Sequence, residues 1–200
     1  MDNIFPIFNS LLSVHDKQKL LGQRSLVVWL VGLSGSGKST MARSLENELY
    51  QRGHLTQILD GDNLRSGVNK NLCFTEEDRK ENIRRAAEVS KLFANCGIVT
   101  ICSLISPTNE IRALARSIIG SEKYYEVYID CPIEVCEQRD VKGLYKRARA
   151  GEIKNFTGID SPFEVPETPD LTINTAIHSL EYCHNQLVEN ILEKIKPENQ

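Results

Sequence analysis

The sequence predicts an α/β fold in which a five-stranded, mostly parallel sheet carries helices on both faces. Three observations predict it. Short apolar runs of strand length alternate along the chain with segments of helical period. Strands separated by helices need crossovers, which make neighbouring strands parallel and cover both faces of the sheet. Between the first strand and the first helix of this pattern stands Gly32-Leu33-Ser34-Gly35-Ser36-Gly37-Lys38-Ser39, which fills G-x-x-x-x-G-K-[ST]. That pattern makes the expected fold a P-loop NTPase fold.

The elements follow in order. Residues 1–24 carry little pattern and are read as an extension, which places the domain at 25–200. Leu26–Val31 is a continuous apolar run, as a strand buried on both faces requires. Lys38–Gln51 has helical spacing. Thr56–Leu59, Ile98–Leu104, Tyr125–Ile129 and Leu171–Ile173 are the remaining strand patterns. Between them, Glu76–Asn95, Glu110–Ile119 and Ile133–Gln138 are helical patterns, and a last helix covers Ser179 to Ile195. The strand ends, and with them the ligand, then lie along one edge of the sheet.

Composition bounds the function. The 200 residues suit one domain, and 40% hydrophobic with 26% charged residues is ordinary for a folded chain. A net charge of −3 and a pI near 5.9 argue against a nucleic-acid-binding surface. No apolar run reaches membrane-spanning length. The first residues lack a basic region and a long apolar core, so no signal peptide is expected. Six cysteines with no C-x-x-C spacing favour free thiols in a cytoplasmic protein over a disulfide framework or a zinc site.

Four clusters carry chemistry. In the glycine-rich run, small residues let consecutive backbone N–H groups curl around a phosphate at a helix N-terminus. Lys38 can then neutralise β- and γ-phosphates, and Ser39 can ligate Mg²⁺. Asp60-Gly61-Asp62 closes the second strand, where two carboxylates can hold Mg²⁺ waters or accept a proton from a hydroxyl. A loop whose Asp and Gly merely satisfy turn geometry is the alternative. The third strand pattern contains no acid, so a metal-dependent kinase must find its carboxylate elsewhere, and Asp60 or Asp62 is nearest in kind.

Thr75-Glu76-Glu77-Asp78 resembles a capping box that starts a helix. Arg79 and Asn82 then share a face with Ala86, Val89 and Phe93, which points them to the ligand edge. A surface pair of Arg79 with Glu76 is the competing reading. Arg139 to Arg149 is strongly basic. It is either a lid that closes over transferring phosphates or a solvated helix face.

Together these blocks resemble adenylylsulfate kinase. The likeness rests on G-L-S-G-S-G-K-S-T, D-G-D-N-L-R at 60–65, and Phe74 through Arg85. It continues through Ser103-Leu104-Ile105-Ser106-Pro107, Cys136 through Tyr145 and Gly151 through Glu164, and spans roughly residues 14–175 in unbroken order. The resemblance implies transfer of the γ-phosphate of ATP, with Mg²⁺, to the 3′-hydroxyl of adenosine 5′-phosphosulfate. The products are 3′-phosphoadenosine 5′-phosphosulfate and ADP.

By position, the resemblance implies that Gly32, Leu33, Ser34, Gly35, Ser36, Gly37, Lys38, Ser39 and Thr40 hold ATP phosphates, with Arg139 near its adenine. Arg65, Arg79 and Asn82 would hold the phosphosulfate nucleotide, the two guanidinium forks suiting a dianion. Phe74 and Phe163 would stack on its adenine. Ile105, Leu144, Thr157 and Gly158 would line the same pocket, and Lys142 would steady the transferring phosphate. Asp62 is the preferred group for positioning or deprotonating the 3′-hydroxyl and, with Ser39, for the metal; Asp60 stands behind it, and the sequence does not separate the two roles.

Ser106 is either a site of phosphorylation or a wall of the pocket. No base adjoins it in sequence, so direct transfer is favoured. Cys73 stands where glycine is usual, and Cys102-Ser103-Leu104 where Thr-Ser-Phe is usual. Family members are often homodimers, and no fused sulfurylase is expected. Three alternatives stand beside this reading. One is a kinase of another small acceptor, such as a nucleoside monophosphate, gluconate or shikimate. Another is a GTPase switch, although Asn69-Lys70-Asn71-Leu72 lacks the N-K-x-D guanine signal. The third is a nucleotide-binding module without turnover.

Overall fold

A computed structural model describes residues 3–7 and 10–197. The sheet contains β1 (Val27–Val31), β2 (Thr56–Asp60), β3 (Val99–Ser103), β4 (Tyr124–Asp130) and β5 (Leu171–Asn174). Its order is β2-β3-β1-β4-β5, and every pairing is parallel. The helices are α1 (Val14–Leu21), α2 (Lys38–Gln51), α3 (Gly61–Ser66), α4 (Glu76–Asn95), α5 (Asn109–Ile119), α6 (Ile133–Arg139), α7 (Leu144–Arg149) and α8 (Leu180–Ile195).

β1 explains the layering. All five of its residues are buried, because each side of the central strand faces a helical layer. Val28 and Leu30 join Met41, Leu45 and Leu49 of α2 and Leu187, Ile191 and Ile195 of α8. The alternate residues Val27, Trp29 and Val31 join Ile83, Ala86 and Ala87 of α4 and Ile111, Ala115 and Ile119 of α5. The period of two along the strand thus distributes one short run between two cores. The chain leaves β1 for one side of the sheet and later fills the other. The C-terminal end of β1 is therefore the switch point where a crevice opens.

Three helices differ from the sequence reading. Residues 14–21 form α1, which begins at a complete capping box: Ser13 accepts from Asp16 N and the Asp16 carboxylate accepts from Ser13 N. The helix is tied to the domain by Gln18 Nε2, which donates to Ser25 Oγ at 2.8 Å, and by Lys17 Nζ, which donates to Asn95 O. Residues 1, 2, 8 and 9 of the expected extension lie outside the described residues. Gly61–Ser66 is a helix rather than a loop, because Asp60 caps it through Asp62 N at 3.0 Å. Part of the basic run folds as α7, in which Asp140 accepts from Tyr145 N and Lys146 N. At α4 only half the expected box forms. Thr75 accepts from Asp78 N, while the Asp78 carboxylate takes Cys73 N instead.

Candidate active site

The crevice at the end of β1 is a cavity of about 1070 Å³. Ser34, Gly35 and Gly37 of the loop that delivers the chain into α2 line it, with Lys38, Ser39 and Thr40. A side chain at Gly32 would sit 2.7 Å from Ile129 O, and one at Gly35 would sit 3.0 Å from Cys136 O. The loop can lie this close to β4 and α6 only with glycine at both places. Lys38, at the first turn of α2, is buried and donates to Gly32 O at 2.8 Å and Leu33 O at 2.7 Å. Burial pulls its pKa from 10.5 to about 8, so the ammonium sits where a phosphate anion would favour its charged form.

The loop is braced from outside by residues the sequence reading passed over. Tyr145 of α7 donates its hydroxyl to Ser34 O at 2.9 Å, and Thr175 Oγ1 donates to Ser36 O at 2.7 Å. Arg139 reaches the Gly35 carbonyl and Thr175 O, which places it beside the loop with Thr175, His178 and Leu180 on the same cavity wall. Tyr145 closes the Cys136–Tyr145 motif, whereas Thr175 lies beyond the last motif, which ends at Glu164. Only the fold brings either onto the loop. The Ser36 hydroxyl is buried within the loop and has no hydrogen-bond partner among the described residues.

The acidic pair divides. Ser39 Oγ donates to Asp60 Oδ2 at 2.9 Å and lies 3.1 Å from Ser103 Oγ, at the acid-free end of β3. Asp62 instead accepts from Lys142 Nζ, across the mouth of the cavity from the basic segment. The structure therefore joins Ser39 to Asp60 and not to Asp62. A hydroxyl and two carboxylates are hard oxygen donors that fit Mg²⁺ alongside phosphate oxygens. Among the described residues no group of three His, Cys, Asp or Glu side chains forms a metal cage, so phosphates and water would complete the shell.

The opposite end of the cavity is cationic and aromatic. The Arg65 guanidinium lies 4.3 Å from the centroid of Phe74 and donates to Leu72 O and Cys73 O. Arg79 donates from Nε to Phe74 O at 3.0 Å, from one NH group to Thr157 Oγ1 at 2.9 Å and from the other to Asn155 O. It makes no pair with Glu76. Burial holds both guanidinium pKa values below their ordinary level, and for Arg79 the like charge of Arg65 adds to the effect. Two cations held this way favour an anionic ligand. Asn82 is buried on the same wall, beside Ile105, Leu144 and Thr157. Cys73 exposes its thiol and serves through its backbone.

Ser106 has a left-handed backbone, φ 48°, and is 1% exposed. Its hydroxyl accepts from Trp29 Nε1 at 3.0 Å and its carbonyl from Arg112 at 2.7 Å. The wall it forms is fixed from behind by the core.

Gly158 and Phe163 are not brought to this cavity. They line a separate hollow of about 570 Å³ with Leu33, Tyr128 and Ile133. There Phe163 stacks on Tyr128 with centroids 6.3 Å apart. The Thr157–Ser161 bridge lies between them: Thr157 lines the main cavity, while Gly158 and Phe163 line the separate hollow.

A model of the family described as adenylylsulphate kinase matches residues 24–174. An adenylyl-sulfate kinase of Bacteroides thetaiotaomicron is 57% identical over 98% of this chain and 97% of its own length. One from Clostridium acetobutylicum is 58% identical over 90% of this chain and 88% of its own. The structure of the Mycobacterium tuberculosis APS kinase in complex with AMPPNP and APS superposes with a TM-score of 0.79 at 44% identity. It covers 86% of this chain and 97% of that one.

Proposed function

We propose how the residues of this chain, which belongs to the adenylylsulphate kinase family, divide the work of phosphoryl transfer. The enzyme moves the γ-phosphate of ATP to the 3′-hydroxyl of adenosine 5′-phosphosulfate and releases 3′-phosphoadenosine 5′-phosphosulfate and ADP. The observation that carries the residue roles is one cavity that joins a phosphate cradle at one end to a two-arginine, aromatic wall at the other.

Gly32 to Thr40 wrap the β- and γ-phosphates of ATP with backbone N–H groups, and Lys38 supplies charge there. Arg139, Thr175, His178 and Leu180 flank its adenosine. Ser39 and Asp60 would hold Mg²⁺, which when bound offsets the charge of the phosphates. Arg65 and Arg79 pair with the phosphosulfate, Phe74 stacks on the acceptor adenine and Asn82 donates to the same nucleotide. Asp62 orients the 3′-hydroxyl and takes its proton as the bond to the γ-phosphorus forms. Lys142 swings from Asp62 to the transferring phosphoryl group, whose bond to the β-phosphate oxygen breaks to leave ADP. Ile105, Leu144 and Thr157 exclude water around them.

Transfer is direct. The Ser106 hydroxyl is engaged by Trp29 and buried, so it serves as a wall and not as a relay. Phe163 and Gly158 join the acceptor site only when the segment 156–163 turns inward over bound nucleotide. The family resemblance supports a homodimer, which sedimentation tests. Six free thiols support a cytoplasmic enzyme, and no helix among the described residues is long and apolar enough to cross a membrane. The structural unit is best begun at Ser13, where α1 is capped, with residues before it as the extension.

The test is incubation with Mg²⁺, ATP and adenosine 5′-phosphosulfate, followed by separation of nucleotides, with AMP, gluconate and shikimate in parallel. A 3′-phosphorylated product from the phosphosulfate alone is expected. ADP formed only with another acceptor would overturn the acceptor-site roles. No turnover with any acceptor would leave a binding module.

A further inference from the structure

Asn69 takes no part in the roles above, yet it is fully buried directly behind the acceptor wall. It sits in the 67–73 turn between α3 and α4. Its backbone is pinned at both ends: its N–H donates to Leu64 O at 2.8 Å and its carbonyl accepts from Leu72 N at 3.0 Å. Arg85 of α4 holds the same turn through Val68 O and Asn71 Oδ1. The side chain therefore has little freedom.

Its amide nitrogen donates to Asn82 Oδ1 at 2.9 Å and approaches the backbone carbonyl of Asn82 at 3.5 Å. A backbone carbonyl only accepts, so this approach favours the rotation of Asn69 that turns its nitrogen toward it. The Asn82 side chain must then answer with its oxygen, because the other rotation would set two N–H groups against each other. This leaves the Asn82 NH₂ group for the cavity that Asn82 lines. None of the described hydrogen bonds uses that nitrogen. The arrangement has a cost: Asn69 Oδ1 is buried without a hydrogen-bond partner among the described residues. Unpaired buried polar atoms are costly, and one kept beside a substrate wall points to a role other than stability.

We propose that Asn69 is a positioning residue for the acceptor nucleotide: its buried amide fixes Asn82 so that a hydrogen-bond donor, not an acceptor, faces the phosphosulfate nucleotide. The inference rests on the reading that Asn82 contacts that nucleotide.

The test is a double-mutant cycle on the full chain with Asn69→Ala, Asn82→Ala and the pair, reading KM for adenosine 5′-phosphosulfate, KM for ATP and kcat separately. Asn69→Leu, which keeps the volume, replaces the alanine variant if thermal melting shows that it does not fold. Asn69→Ala is expected to raise KM for the phosphosulfate about five- to tenfold, the worth of one oriented hydrogen bond, and to leave KM for ATP within about twofold. The double variant is expected to be no worse than Asn82→Ala alone, because Asn69 acts only through Asn82. Effects that multiply would mean that Asn69 acts through the 67–73 turn and Arg65, and would overturn the proposal while leaving the Asn82 role intact. An unchanged phosphosulfate KM in Asn69→Ala, with a raised one in Asn82→Ala, would overturn it in the same way. An unchanged KM in Asn82→Ala would remove the underlying reading and the proposal with it.

Discussion

Ser39 and Asp60, 21 residues apart, are joined by a hydrogen bond of 2.9 Å from the P-loop hydroxyl to the carboxylate that ends β2. The same carboxylate caps α3 with its other oxygen. Asp60 thus connects the phosphate cradle to the helix that carries Asp62 and Arg65, and its two oxygens face two different partners.

This separates the two acids by experiment. Asp60→Asn keeps an acceptor for the helix cap but loses the charge, so stability should change little. Turnover should fall about 10- to 100-fold and need more Mg²⁺, as when the surroundings of a metal are disturbed. Asp62→Asn should leave the Mg²⁺ requirement unchanged and lower kcat by about a hundredfold or more, as expected for loss of a proton acceptor. Titration of activity against Mg²⁺ for both variants checks the division, and the opposite pattern would exchange the roles.

Lys38 gives a pH dependence with a definite sign. Burial lowers its pKa to about 8 in the free protein, and bound phosphate holds the proton on. Nucleotide binding should therefore take up a proton above pH 8. Affinity for ADP should be level below pH 8 and fall by up to about tenfold per pH unit above it. Calorimetry in two buffers of different ionisation enthalpy measures the uptake. In the free chain the buried charge opposes folding below pH 8. That penalty fades between 8 and 10.5, because the unfolded state binds the proton more tightly. Lys38→Ala should fold and lose turnover.

Arg79 binds three acceptors from three nitrogens, on Phe74, Asn155 and Thr157. A lysine has one nitrogen and cannot span them. Arg79→Lys should raise KM for the phosphosulfate about tenfold or more, as charge-assisted hydrogen bonds are lost. It should also free the segment 155–163 to hydrogen exchange. Equal protection in both proteins would mean that Arg79 does not hold that segment.

Gln23 tests where the structural unit begins. Its buried amide donates to Leu55 O and Gly97 O and accepts from Leu55 N at 2.8 Å, which binds the chain before β1 to the starts of β2 and β3. Gln23→Ala strands buried backbone groups and should cost about 2 kcal/mol. For a chain of this size the melting temperature should then fall by about 5 °C. Kinetic constants should not move, because the cluster lies at the end of the sheet away from the cavity. A change in KM without a change in melting would contradict this account.

The sequence by itself determined the sheet, the P-loop and the long helices. α2 and α4 begin and end where the pattern placed them, because helical period, caps and strand alternation are set by residues within a few positions of one another. It also marked Asp60 and Asp62 by the absence of an acid on β3. α1 was legible in principle, since Ser13 and Asp16 spell its cap, but its short run buries no residue that would have shown a period. What only the tertiary structure decided was partnership. Ser39 takes Asp60 while Lys142 takes Asp62, Arg79 reaches Thr157, Phe163 stacks on Tyr128 away from the main cavity, and Asn69 stands behind Asn82. Most of these pairs are tens of residues apart. Their meeting depends on the order of strands in the sheet and the course of the crossovers, which no local pattern encodes.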